Sequence, residues 1–249
     1  VNIHGMVTKP LPMASRRRTV AHAVVKRLLK MDEVQLRAPI FQARSEMFLF
    51  HRVSGQSVQI RLGGRIKDVG ISKRTGHFET NFDLDAQTVS KTVVETPYGQ
   101  KLCFESVNGD TYSTPVTTMG SVQLLHTSGT SVISDIDDTV KLTNVADRRE
   151  LLANTLLREF VPIQDMVDLY KQWSLSGAAF HYVSASPWQL TRPLNDFFQS
   201  AGLPDGSMHL KLFRLKDSTP LGRMRSSKKS KQDVINEIID NFPHRKFIL

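Results

Sequence analysis

The sequence predicts a two-part chain of mixed class: a small antiparallel β-sandwich followed by an α/β domain built on a parallel sheet. Between residues 37 and 127, apolar and polar residues alternate in short runs, most strictly at Ser57–Leu62 and 77–84, as half-buried strands do. After Gly129 apolar strands alternate with helical segments, the pattern of parallel strands joined by crossover helices on both faces of a sheet.

Composition agrees with this. The 249 residues suffice for two domains, and a hydrophobic content of 40% supports a packed core. No run approaches the ~20 apolar residues that a bilayer-spanning helix needs. Residues 1–12 lack the charged start and apolar run of a signal peptide. The one cysteine, Cys103, excludes an internal disulfide framework and suits a reducing compartment. A soluble, cytoplasmic, globular protein is expected. Its 33 basic and 24 acidic residues give a net charge of +9, and the positive charge is clustered. Arg16, Arg17, Arg18, Lys26, Arg27 and Lys30 form one group; Arg223, Arg225, Lys228, Lys229 and Lys231 form another. Such an excess favours polyanionic partners: nucleic acid, an anionic membrane surface or phosphorylated substrates. Without interleaved aromatic and basic residues, nucleic acid is not expected.

Residues 1–36 are an N-terminal segment with a basic amphipathic helix over 15–31. Val20, Val24, Leu28 and Met31 form its apolar stripe, widened by Val25 and Leu29, with Arg and Lys on the other face. The stripe is expected to pack on the domain behind it; the alternative is a helix lying on an anionic membrane. Residues 37–127 hold the β-sandwich, with strands at 47–50, Ser57–Leu62 and 77–84. Gly63-Gly64, Thr75-Gly76 and Asn108-Gly109-Asp110 mark turns. Nothing there looks catalytic. Residues 128–249 form the α/β domain, with strands at 131–134, 178–183, 208–213 and 246–249. Helices are expected at 149–160, 163–174, 190–200 and 231–241.

In open α/β sheets ligands bind beyond the carboxyl ends of the strands. The first of these strands runs into Asp135-Ile136-Asp137-Asp138-Thr139. Two carboxylates two residues apart can converge on one small volume, where a compensating cation is needed; oxygen ligands favour Mg²⁺. A carboxylate in such a site can attack phosphorus, and its neighbour can protonate the leaving oxygen and then activate water. An acidic loop of solvated charges, or a Ca²⁺ site, is the alternative reading. The second strand ends in Ser184-Ala185-Ser186-Pro187-Trp188, where a hydroxyl can bind a phosphate oxygen, although an N-cap serine would look the same. Lys231 opens the last expected helix. An ammonium at a helix start opposes the macrodipole, which predicts a specific anionic partner for it.

Strand–Asp-x-Asp, strand–Ser and helix–Lys, in this order, resemble the haloacid-dehalogenase phosphohydrolase superfamily. Within it, residues 131–141, 181–190 and 231–249 are similar to the actin-patch-protein family of phosphatidate phosphatases, cousins of the lipins. Lys73-Arg74-Thr75-Gly76-His77-Phe78 weakly resembles that family's preceding sheet-rich domain. The resemblance implies a Rossmann-like catalytic domain with Asp135 as nucleophile and Mg²⁺ ligand. Asp137 would be the general acid/base and lend Mg²⁺ its backbone carbonyl. Ser184 would bind phosphate, Lys231 would neutralise the phospho-intermediate, and Asp138 and Thr139 would support the loop. It also implies phosphatidate as substrate, a peripheral membrane location, and cytoskeletal adaptor partners at cortical actin patches if the source is fungal. The family's acidic Gly-Asp-Ser-Gly segment would follow 246–249, so the domain is expected to be cut short at its carboxyl end. A phosphatase for another phosphomonoester, such as a phosphoprotein, would use the same residues. A non-catalytic phospholipid-binding scaffold would use the same pocket.

Overall fold

A computed structural model describes residues 1–107, 118–211 and 220–249. The turn expected at Asn108-Gly109-Asp110, the far end of the strand expected at 208–213, and the side chains of Arg223, Arg225, Lys228 and Lys229 lie outside the described residues. The chain opens with strands β1 (Asn2–Met6) and β2 (Thr8–Pro10), then helices α1 (Arg16–Leu29), α2 (Glu33–Arg37) and α3 (Pro39–Glu46). There follow β3 (Phe50–Arg52), β4 (Ser57–Leu62), β5 (Arg65–Ile71), β6 (His77–Asn81), α4 (Ala86–Thr92), β7 (Val93–Thr96), β8 (Gly99–Val107) and β9 (Met119–Leu124). The remainder alternates: β10 (Gly129–Ser134), β11 (Lys141–Leu142), α5 (Arg148–Leu156), β12 (Val161–Pro162), α6 (Gln164–Leu175) and β13 (Ala179–Pro187). It closes with α7 (Thr191–Ala201), β14 (Gly206–Lys211), α8 (Pro220–Asn241) and β15 (Arg245–Ile248). No helix among the described residues is long and apolar enough to cross a membrane.

These elements form two units, one of Val1–Pro12 with Phe50–Leu125, the other of Met13–Leu49 with His126–Leu249. In the first, β5, β4, β8 and β7 form an antiparallel sheet that β9 extends by pairing with β8; β1 pairs with β6 and β2 with β3. Along β4, Val58, Ile60 and Leu62 are buried and Ser57, Gln59 and Arg61 exposed, the period-two pattern expected of it. Ile3, Val58, Ile60 and Val69 make the core, joined by Phe78, Phe82 and Phe104.

In the second unit four parallel strands lie in the order β14-β13-β10-β15. Successive residues of β10 serve opposite faces. Val132 packs with Phe180, Tyr182, Val167, Tyr170 and Leu194, whereas Ile133 packs with Val183 and Ile238. Helices α6 and α7 therefore line one face and α8 the other. Gly206 at the start of β14 allows a close approach: a Cβ there would lie 2.6 Å from the Phe180 backbone oxygen and 2.8 Å from a Tyr182 ring carbon. Arg245 secures β15. Its guanidinium donates to Ser131 Oγ at 2.7 Å and to the carbonyls of His126, Ser128 and Thr130.

Several boundaries differ from expectation. Residues 37–49, assigned from sequence to the β-rich part, are helical or turn and belong to the second unit. The apolar 47–50 run closes α3 and enters β3 only at Phe50. Helix α1 also packs with only one edge of its expected stripe. Leu29, with Val25 and Met31, joins Phe41, Ala153 and Leu156, while Val20, Val24 and Leu28 are exposed. The reason is Arg18, which is buried on the packed side in an ion pair with Glu46. Finally, α8 begins at Pro220, so Lys231 lies in mid-helix and the macrodipole does not explain its partner.

Candidate active site

The parallel register brings the carboxyl ends of β10 and β13 side by side, with Ser134 opposite Tyr182. Beyond β10 the chain turns tightly. The Ile136 carbonyl accepts from the N–H groups of Thr139, Val140 and Lys141, and buried Ile136 and Val140 anchor the turn in the core. Asp138 takes a left-handed conformation (φ 57°), which a short side chain that binds its own neighbourhood tolerates. Its carboxylate accepts from the backbone N–H groups of Thr143, Asn144 and Val145 at 2.6–2.7 Å. Asp138 thus closes the loop rather than facing a ligand. Thr139 contributes its backbone N–H to the same turn. Tyr170 fixes the approach from below, donating to Ser134 Oγ, which in turn donates to the Asp135 carbonyl.

Asp137 points inward and is 11% exposed. Its Oδ1 accepts from Lys141 Nζ at 2.8 Å and Thr143 Oγ1 at 2.9 Å; its Oδ2 accepts from the hydroxyls of Ser184 and Ser186, each at 2.8 Å. Burial alone would raise the Asp137 pKa. The Lys141 charge and hydrogen bond, with those of Ser186 and Ser184, outweigh it and hold the carboxyl below its ordinary range. Asp135 is more open, at 39% exposed. Its Oδ1 accepts the Ile136 N–H, and its Oδ2 accepts from Lys231 Nζ at 2.5 Å.

The residues singled out from sequence therefore meet: Lys231 bonds Asp135, and Ser184 bonds Asp137. Ser184 differs in detail, because its hydroxyl proton goes to Asp137 and its oxygen accepts the Ser186 N–H. Sequence reasoning missed Lys141, Thr143 and Ser186. Lys141 carried a signal, since it sits four residues after Asp137, but it reads as a solvated lysine and is instead 2% exposed. Each of the two carboxylates is paired with one lysine of the chain, Asp135 with Lys231 and Asp137 with Lys141.

Hard oxygen donors suit Mg²⁺. Among the described residues no three or more His, Cys, Asp or Glu are placed so as to hold a metal ion by themselves, and Asp137's side chain is surrounded by protein donors. Asp135 is the carboxylate open enough for a cation, and Mg²⁺ typically takes one or two carboxylates plus substrate phosphate and water. To that extent the donors fit.

Residues 130–249 match the family model of the catalytic domain of phosphatidate phosphatase APP1. The chain is 39% identical over 89 residues to an uncharacterized protein of Schizosaccharomyces pombe, covering 34% of this chain and 15% of that protein. It is 34% identical over 125 residues to the phosphatidate phosphatase APP1 of Saccharomyces cerevisiae, covering 49% of this chain and 21% of that protein. The matched part spans less than a quarter of the length of either curated relative.

Proposed function

We propose that this chain, whose residues 130–249 match the family model of the APP1 phosphatidate phosphatase catalytic domain, is a member of that family and hydrolyses phosphatidate to diacylglycerol and phosphate. The observation that carries the reading is the pairing of an open Asp135 with Lys231, beside an Asp137 held by two serines and a buried lysine. Asp135 is the nucleophile. One of its oxygens attacks phosphorus, the bond to the glycerol oxygen breaks, and an aspartyl-phosphate forms. Asp137, after taking up a proton from solvent as the phosphate arrives, gives it to that glycerol oxygen, then takes a proton from the water that releases phosphate. The four donors keep Asp137 ionised while the site is empty, and an arriving phosphate dianion raises its proton affinity toward that of an acid. Lys231 offsets the charge gathering at Asp135. Ser184 and Ser186 orient Asp137, a role we assign in place of the direct phosphate contact expected of Ser184. Mg²⁺, when bound, would be held by Asp135 and by phosphate and would neutralise the phosphoryl oxygens.

The fold that goes with this reading is of the haloacid-dehalogenase type, with a β-sandwich in the first unit. Support comes from the parallel β14-β13-β10-β15 order and the acidic turn at the carboxyl end of an interior strand. A peripheral membrane location follows from a lipid substrate. The outer face of α1 supports it, because exposed Val20, Val24 and Leu28 lie among exposed Arg16, Arg17 and Arg27.

The test is phosphate release from phosphatidate in mixed micelles with Mg²⁺, wild type against Asp135→Asn. Loss of at least roughly 10³-fold is expected for a missing nucleophile. Equal release by the two proteins would overturn the mechanism. Hydrolysis confined to non-lipid phosphoesters would overturn the substrate.

A further inference from the structure

Beside the acidic turn lies an apolar edge that neither the fold nor the chemistry uses. Strands β11 and β12 form a two-stranded antiparallel ribbon in which Leu142 stands opposite Val161. Adjacent residues there face opposite ways. Lys141 is buried against Asp137, whereas Leu142 is 54% exposed, and Val161 on the facing strand is 51% exposed. Opposed residues in such a ladder have Cβ atoms roughly 4.5–5.5 Å apart, so these two side chains form one apolar tip. Val145, also 51% exposed, is tied to the same place by its backbone: its N–H is held by the Asp138 carboxylate that also binds Thr143 and Asn144. Past Asp147, the exposed N-cap of α5, come exposed Arg148 and Arg149, the latter also donating to the Leu29 carbonyl at 3.4 Å.

Isolated exposed aliphatic residues need no explanation. Three of them fixed to the rim of a reaction centre, with two arginines alongside, form a patterned surface. Aliphatic side chains of this kind partition into the boundary between headgroups and acyl chains, and arginines at the same level meet lipid phosphates. A bilayer containing an anionic phospholipid satisfies both halves; free phosphate would use only the arginines.

We infer that Leu142, Val145 and Val161 are the edge by which this unit enters an anionic bilayer, with Arg148 and Arg149 on the lipid phosphates, so that Asp135 meets headgroups in place. The inference rests on the phosphatidate reading of the site. It deepens that reading by naming the form in which the substrate is met, in a membrane rather than free in solution.

The test uses the full chain and phosphatidylcholine vesicles containing ~20 mol% phosphatidate, an anionic surface. Leu142→Ser, Val145→Ser and Val161→Ser are combined in one protein. A second protein carries the apolar-conserving Leu142→Met, Val145→Ile and Val161→Ile. Cosedimentation of the serine protein with vesicles should fall roughly 10- to 100-fold, and the apolar-conserving protein should bind as wild type does. The ratio of phosphate release from vesicles to release from monomeric dihexanoyl phosphatidate should fall by a similar factor in the serine protein. Serine substitution that leaves vesicle binding at the wild-type level overturns the inference, as it would if the edge met a protein partner. Failure of both variants to bind would mean that shape rather than apolarity matters, which also overturns it. Absence of phosphate release from either substrate by the wild type would sink the catalytic reading alone, since vesicle binding is read separately.

Discussion

Replacing Lys141 by Met keeps an apolar stem of similar length and deletes one buried charge. In the wild type the Lys141 ammonium lies 2.8 Å from Asp137 Oδ1. At an effective dielectric constant of about 20, Coulomb's law gives that contact about 6 kcal/mol. Part of this returns on substitution, because the ammonium no longer has to be desolvated. Removing one partner of a buried pair typically costs about 3–5 kcal/mol, mostly from the charge left behind. Thr143, Ser184 and Ser186 still bond Asp137, so the lower figure, about 3 kcal/mol, is expected for Lys141→Met. Adding Asp137→Asn removes the orphaned charge, and the double variant should regain about 1–2 kcal/mol over Lys141→Met alone. Urea unfolding followed by tryptophan fluorescence measures this for the correct unit. The two tryptophans of the chain, Trp173 and Trp188, both belong to the second unit. A Lys141→Met protein with the wild-type midpoint and slope would refute the reasoning. So would a double variant less stable than Lys141→Met, because the ion pair would then not be what the lysine serves.

His181 on β13 bonds Ser207 and Ser131, and burial, then the charges of His209 and Arg245, lower its pKa to about 4. The unfolded chain, with a histidine pKa near 6.5, binds a proton that the folded chain refuses. Stability is therefore full above about pH 6.5, declines as pH falls, and has lost at most about 3 kcal/mol by pH 4. His181→Gln should flatten that part of the urea-midpoint profile; an unchanged wild-type slope in the variant would exclude His181 as its source. Gly206→Ala should destabilise the second unit by about 1–3 kcal/mol, because its Cβ would meet backbone and ring atoms that cannot give way cheaply. A melting temperature equal to that of the wild type would show that β14 can slide.

The parts of the fold that sequence made legible are those where one period governs. Strand β4 alternates cleanly, and the apolar approach to Asp135 reads as a buried strand whichever neighbours it has. Where two readings share the same residues, the sequence is silent. Helix α1 carries a wide apolar stripe, and which of its edges packs depends on where Arg18 finds Glu46, a contact across 28 positions. The apolar run at 47–50 fits a short strand or the end of a buried helix equally well. The start of α8 was hidden because 220–230 is polar and basic, without an apolar stripe to count. In the site, the residue types were visible and their pairings were not. Lys231 was picked for its place at a helix start, which it does not occupy, yet its partner is the one expected. Lys141 escaped because burial of a lysine is a property of the packed loop and leaves no mark on the neighbouring letters.

The placement of β10 has a consequence for synthesis. It is an interior strand, and its partners β13 and β15 arrive late, as does Lys231, which is 96 residues beyond Asp135. At roughly 5–20 residues per second, a ribosome needs about 5–20 s to travel that distance. During that interval the acidic turn is in the growing chain without the ammonium that pairs Asp135, while Lys141, only four residues past Asp137, is already at hand. Local neutralisation comes first and distant neutralisation afterwards, so the loop can take its shape before Asp135 acquires its counter-ion. Contacts of such long sequence separation slow folding, and the candidate site is not complete until Lys231 has been made and docked.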